Sequence, residues 1–198
     1  MTRRVGIFGG SFDPVHLAHV ALAEAALVEL RLDQVLWIPA GQPWQKERAI
    51  TAAEHRVAMV QLAIAHEARF ALDRIETQRA GVSYTLDTVR TLSAAHPLTQ
   101  WFLLIGQDQY AGLHTWRDWR TLLGLVVLAV ANRPGDTRGP HPDVQGFPHR
   151  RVPLPMLDIS STDIRRRVGQ GVDISHLVPP LVARYIETHG LYRSPHRS

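Results

Sequence analysis

The sequence predicts an α/β fold, a single doubly wound, mainly parallel sheet with helices on both faces and right-handed crossovers. Three observations predict it. Short runs of β-branched and aromatic residues alternate with segments of helical apolar spacing. Turn-forming residues follow several of those runs at their C-terminal ends, where α/β proteins bind ligands. The 198 residues, 45% hydrophobic and 20% charged, show no composition shift, internal repeat or low-complexity tract that would divide them.

Val5 to Phe8 reads as the first strand, ending in Gly9-Gly10-Ser11-Phe12-Asp13-Pro14-Val15-His16-Leu17-Ala18-His19. The two glycines suit a sharp turn and close approach of a ligand to bare backbone, and Pro14 has a fixed φ suited to opening a helix. A helix from near His16 to Leu30 follows, with Leu17, Val20, Ala21, Ala25 and Val28 at helical spacing. Gln34 to Ile38 is a second strand, and 40–50 an irregular loop containing Pro43, Trp44, Gln45 and Lys46. Thr51-Ala52-Ala53-Glu54 has the form of a capping box and starts a helix that continues to about His66. A short strand at Phe70 to Leu72 precedes a capped helix from Ser83 to Ala95. Gln100 to Ile105 is then a strand running into the turn Gly106-Gln107-Asp108, a repeat of the opening geometry. A helix within Trp116 to Leu123, a buried strand from Leu125 to Ala131 and a Pro- and Gly-rich surface loop from Arg133 to Phe147 come next. A last short strand at Arg151 to Leu154 and helices at Ser160 to Val168 and Pro179 to His189 complete the order. The folded unit is expected to be 1–193, with 194–198 a polar tail.

Composition bounds the function. The net charge is +4 and the isoelectric point near 10.1, but the 22 basic residues are spread along the chain. That distribution favours small polyanions such as nucleotides over long nucleic acid. There are no cysteines, which excludes disulfides, thiolate nucleophiles and Cys-ligated zinc. The apolar run after Met1-Thr2-Arg3-Arg4 is too short for a signal peptide. Leu122 to Ala131 is about half of what a membrane helix needs, so a cytoplasmic protein with no membrane partner is expected.

Two stretches carry chemistry. His16 and His19, three apart, would point together from a helix first turn whose N–H groups and dipole attract anions, which makes a phosphate site. The alternative is a strand-to-helix turn bearing two surface histidines. Ile159-Ser160-Ser161-Thr162-Asp163-Ile164-Arg165 offers hydroxyls, first-turn amides and a guanidinium fork to phosphate oxygens, and also fits a plain capping box. Zinc on His16 and His19 lacks a third ligand, so no metal-binding residues are assigned.

Together these stretches resemble the GxFDPxHxxH and ISSTxIR motifs of the nucleotidyltransferase superfamily. Three further stretches, Ser83-Tyr84-Thr85-Leu86-Asp87-Thr88, Ile105-Gly106-Gln107-Asp108 followed by Trp116, and His189-Gly190-Leu191-Tyr192-Arg193, make the chain similar to the bacterial nicotinate-nucleotide adenylyltransferases over nearly its whole length. The resemblance implies a Rossmann-like fold and adenylyl transfer from ATP to nicotinic acid mononucleotide, giving deamido-NAD and pyrophosphate, with Mg2+ carried on the polyphosphate. By similarity, His16, His19 and Arg165 are catalytic. Gly9, Gly10, Ser11, Phe12, Gly106, Asp108, Ser160 and Ser161 bind ATP, and Lys46, Tyr84, Thr85 and Trp116 bind the mononucleotide. Trp116 is equally readable as a packing tryptophan beside Trp101 and Trp119, Lys46 as a solvated loop lysine, and Tyr84-Thr85 as a helix start.

Two positions depart from the family pattern. Ala18 stands where many members have glycine, and Pro43-Trp44-Gln45-Lys46 where many have Pro-Pro-His-Lys, so Gln45 puts a neutral amide beside the expected acceptor site. Transfer to nicotinamide mononucleotide or another phosphate acceptor, or a non-catalytic nucleotide-binding module, are the competing readings. The sequence leaves the oligomeric state open.

Overall fold

The computed structural model describes residues 2–43, 50–132, 139–155 and 157–193. Its strands and helices run in the order β1 Arg3–Gly10, α1 Leu17–Glu29, β2 Gln34–Pro39, β3 Gln42–Pro43, α2 Ala53–Ile64, β4 Phe70–Leu72, β5 Val82–Ser83 and α3 Thr85–Ala95. The second half continues with β6 Thr99–Ile105, α4 Gln107–Ala111, a 3-10 turn Leu113–Thr115, α5 Trp119–Leu125, β7 Val127–Asn132, α6 Pro142–Gln145, β8 His149–Pro153, α7 Ser161–Gly169 and α8 Pro180–Thr188.

Six strands form one parallel sheet in the order β4-β2-β1-β6-β7-β8. The chain begins mid-sheet, builds outward through β2 and β4, then returns to add β6, β7 and β8 on the other side. This is the doubly wound arrangement, and its reversal of direction between β1 and β6 opens a crevice at the strands' C-terminal ends. Alternate residues of the strands face opposite ways. Phe8, Phe102 and Leu104 join one core with Val20 and Leu22 of α1, Val60 of α2, Ile164 of α7 and Val182 of α8. Val5, Ile7, Leu103 and Ile105 join the other with Val89 of α3, Tyr110 of α4 and Leu122 of α5. Burial on both faces explains why β1 and β6 read as unbroken apolar runs rather than alternating ones.

Several boundaries differ from expectation for local reasons. The glycines do not make the turn after β1: Gly9 and Gly10 are extended members of the strand, and the left-handed residue is Phe12, at φ 46°. The helix starts where expected, with His16 the residue before its first turn, but Pro14 lies two residues ahead of His16 and does not open it. The Thr51 to Glu54 capping box does not form; Ala52 precedes α2 without a side-chain cap. The Gly106 turn opens the short helix α4, the 133–147 loop contains α6, and β3 pairs with β5 in a second, two-stranded parallel sheet that the sequence did not suggest. That pairing brings the loops after β2 and β4 so close that a Cβ on Gly41 would lie 2.2 Å from the Glu76 carbonyl oxygen. Glycine is required there. Among the described residues, no helix is long and apolar enough to cross a membrane.

Candidate active site

The crevice at the reversal is two cavities that share Gly9, Gly10, Ser11 and Gln109 as a common wall. The first, on the α1 and α7 side, has a volume of about 290 Å³ and includes His16, His19, Asp108, Ser160 and Ser161. The second, on the α3 side, has a volume of about 190 Å³ and is lined by Ile7, Ile38, Glu76, Thr85, Thr88 and Trp116 among others. One cavity is rich in donors and the other is largely apolar with an aromatic wall. Nothing lies within 4 Å of where a Cβ on Gly9 would sit, so bare backbone faces open space at the junction.

His16 precedes α1 and His19 is its third residue, so the helix start superposes their rings with centroids 3.6 Å apart at 25°. His16 N–H donates to His19 Nδ1 at 3.2 Å. With Nδ1 accepting, a neutral His19 ring carries its proton on Nε2 and is a donor in either charge state. An edge contact with Phe12 and a tilted one with Phe8 back the ring.

The second motif docks on the first. Ser160 Oγ accepts from Asp163 N–H at 3.1 Å and so caps α7. Ser161 Oγ donates to the Pro14 carbonyl at 2.9 Å, and Arg165 Nη1 donates to the Asp13 carbonyl. The stretch is a capped helix start, and that start forms part of the wall of the donor-rich cavity. Arg165 is not itself part of the cavity walls; its guanidinium lies one residue along the same loop, with Nη2 donating to Thr162 Oγ1 at 3.1 Å.

Three other predicted residues need correction or qualification. Phe12 is not in either cavity wall: it is 1% exposed, packed edge-on to Phe8 and against Trp37, so its part is to anchor the turn. Tyr84 lines only a shallow neighbouring hollow with Trp116, its ring under the Arg117 guanidinium at 4.6 Å. Lys46, with Trp44 and Gln45, lies outside the described residues. The three tryptophans separate cleanly. Trp101 and Trp119 are buried in the core, and the half-buried Trp116 faces the apolar cavity.

Several residues given no role on sequence grounds hold the site. Arg56 is 1% exposed and donates to the carbonyls of Thr51 (2.8 Å), Ser11 (2.9 Å) and Gly41 (3.3 Å), tying α2 to the loops after β1 and β2. Burial pulls its pKa down and the Asp13 charge pushes back. Its spacing from Met59, Val60 and Ala63 was the available signal, an arginine on the buried stripe of a helix. Burial pushes Asp13 upward, but bonds from Thr51 and Tyr192 and the Arg165 charge outweigh it and hold the carboxyl below its ordinary value. Glu76, in the apolar cavity, is raised by burial, with a Thr88 hydrogen bond of 2.8 Å and the Arg79 charge pulling back. Among the described residues no group of three His, Cys, Asp or Glu could hold a metal ion.

Residues 7–167 match the family model described as Cytidylyltransferase-like. The chain is 47% identical over 199 residues to the "Probable nicotinate-nucleotide adenylyltransferase" of Methylibium petroleiphilum, covering 98% of this chain and 94% of the relative. It is 41% identical over 196 residues to the protein of the same name in Clavibacter michiganensis, covering 97% and 95%. Among solved structures, the nicotinic acid mononucleotide adenylyltransferase of Plasmodium falciparum complexed with NaAD superposes with a TM-score of 0.78 at 19% identity, covering 96% of this chain and 97% of that one. At that identity the likeness concerns the fold.

Proposed function

The chain belongs to the cytidylyltransferase-like family and, within it, to the nicotinate-nucleotide adenylyltransferases, and from that premise we propose that it transfers the adenylyl group of ATP to the phosphate of nicotinic acid mononucleotide in NAD biosynthesis. The observation that carries this reading is the pair of unlike cavities meeting across Gly9 to Ser11. A donor-rich cavity suits a polyphosphate, and an apolar one with an indole wall suits a flat heterocycle.

An oxygen of the mononucleotide phosphate attacks the α-phosphorus of ATP, a P–O bond forms, and the bond from the α-phosphorus to the bridging oxygen breaks, releasing pyrophosphate and deamido-NAD. The attacking phosphate is ionised near neutral pH, so the protein needs to position reactants and stabilise charge more than to remove a proton. Gly9, Gly10 and Ser11 let the α-phosphate approach the backbone, with Gly106 and Asp108 on the opposite wall. His16 and His19 donate to oxygens on which charge builds. Ser160, Ser161 and Arg165 hold the β- and γ-phosphates, Arg165 from the rim. Trp116 stacks on the pyridine, and the first-turn amides at Tyr84 and Thr85 receive its carboxylate; a role for Lys46 on the mononucleotide phosphate belongs to the same reading.

The family's chemistry generally uses a divalent cation, here taken as Mg2+. The residues fit an ion bound chiefly by phosphate oxygens and water: the described residues form no cage, and Asp108 is the carboxylate in that cavity's wall. Bound there, the ion neutralises charge on the polyphosphate.

Pyrophosphate release measured with ATP and, in turn, nicotinic acid mononucleotide, nicotinamide mononucleotide and phosphopantetheine tests the proposal. Preference for the first is expected. Preference for the second would keep the mechanism and change the acceptor, and release with none would overturn the reading.

A further inference from the structure

The segment after α8 reaches back across the molecule to the loop after β1. Tyr192 Oη donates to Asp13 Oδ1 at 2.8 Å, joining positions 179 residues apart in sequence. Asp13 is fully buried, and its Oδ2 accepts the Thr51 N–H at 3.4 Å. Charged and titratable groups reach this carboxylate from each element around it: Arg56 from α2, Arg165 from α7 and the Tyr192 phenol from the C-terminal segment. The backbone of the same loop is what the phosphate-binding residues lean on. The Asp13 carbonyl accepts Arg165, the Pro14 carbonyl accepts Ser161 at 2.9 Å, and the Ser11 carbonyl accepts Arg56 at 2.9 Å. His16 follows two residues after Pro14.

A buried carboxylate gripped from two sides cannot turn without leaving a donor unsatisfied, so the peptide units on either side of it are held as well. We propose that Tyr192 is a positioning residue for the phosphate half of the site: by clasping the Asp13 side chain it fixes the two carbonyls against which Arg165 and Ser161 are aligned. This rests on the reading of the donor-rich cavity as the polyphosphate site. The phenol is in neither cavity wall and acts only through Asp13, Arg165 and Ser161. Of these four residues Ser161 is in the wall of the donor-rich cavity, and none is in the wall of the acceptor cavity, which Trp116 and Thr85 line on the other side of Gly9 to Ser11. The clasp therefore serves one substrate and not the other.

The test is Tyr192→Phe in the full chain, with kcat and both KM values measured alongside a 13C titration of the Asp13 carboxyl carbon. Loss of the phenol should lower kcat/KM for ATP about tenfold, leave KM for nicotinic acid mononucleotide unchanged, and move the Asp13 titration upward by about one pH unit. Site-specific replacement of Tyr192 by 3,5-difluorotyrosine, a stronger donor that deletes nothing, should move the Asp13 titration downward, and this variant decides the matter if the phenylalanine protein fails to fold. An unmoved Asp13 titration in both variants would overturn the clasp whether or not the protein turns over ATP. A moved titration with unchanged kcat/KM for ATP, or an equal rise in both KM values, would overturn the positioning role. Absence of pyrophosphate release by the unaltered protein would instead remove the adenylyl-transfer reading, with the clasp itself still judged by the titration.

Discussion

At the residue scale, His19 and Glu76 show what a place in a cavity wall does to a polar side chain. The His16 N–H on His19 Nδ1 fixes the tautomer, and Phe8 and Phe12 fix the plane, so the ring is set in place before any ligand arrives. Preorganised donors of this kind contribute where charge develops. His19→Ala should accordingly lower turnover by more than about tenfold while leaving the melting temperature within a few degrees, as steady-state kinetics and calorimetry would reveal; unchanged turnover would remove the histidine from the mechanism. Glu76 behaves in the opposite sense. Burial raises its pKa, more than Thr88 and Arg79 lower it. A carboxyl with a folded-state pKa above its unfolded value contributes stability that is complete below the unfolded value and is lost as pH rises through the folded one. Glutamine at this position keeps an oxygen to accept from Thr88 and has no charge to bury. The melting temperature of Glu76→Gln relative to the unaltered protein should therefore climb as pH rises through and above the ordinary carboxylate range. A constant or falling difference would mean that Arg79 compensates the charge fully. The Glu76 shift was not legible in the sequence, because it depends on neighbours brought in by folding; the pairing of His16 with His19 was, because it needs only helical spacing.

At the element scale, the starts of α1, α2 and α7 converge on one short loop, and Arg56 is the member of that junction which three carbonyls share. Replacing it with leucine fills a similar volume but strands those acceptors and removes a cation on which the Asp13 charge acts. Loss of one partner from a buried charged cluster costs about 3 kcal/mol. Arg56→Leu should lose about that much in denaturant unfolding and should also raise KM for ATP, since the Ser11 carbonyl is no longer held; a loss below about 1 kcal/mol would show that water replaces the guanidinium. Most elements were legible from periodicity, and their ends less so. Helix α7 and its Ser160 cap were readable because the cap is local in sequence. The failure of the Thr51 cap has a distant cause: Asp13 takes both the N–H and the side chain of Thr51, the groups a capping box would use. The β3 and β5 pairing is only two residues long on each strand and leaves no periodic signal.

At the scale of the whole molecule, the doubly wound order places the site; alternating strands and helices implied a parallel sheet covered on both faces, and not which strands are neighbours. What the alternation could not supply is how the chain's two ends meet. Leu191 and Tyr192 pack against the core that also holds Phe8, Phe12 and Val15, and the Tyr192 hydroxyl closes on Asp13. The final segment therefore completes the first loop, which predicts where the chain can be shortened. A protein ending at Arg193 should keep its melting temperature and its turnover with ATP. One ending at Gly190 loses two partly buried side chains and the partner of a buried carboxylate, a cost of about 3 kcal/mol. It should melt many degrees lower, with the loss larger near neutral pH than in acid. The sign follows from Asp13: its folded pKa lies below the ordinary value, so its contribution is present above the unfolded pKa and is lost as pH falls through the folded one. Melting curves of the two shortened chains across that range provide the measurement. Equal stability of both would place the boundary of the folded unit before Leu191 and leave Tyr192 outside it.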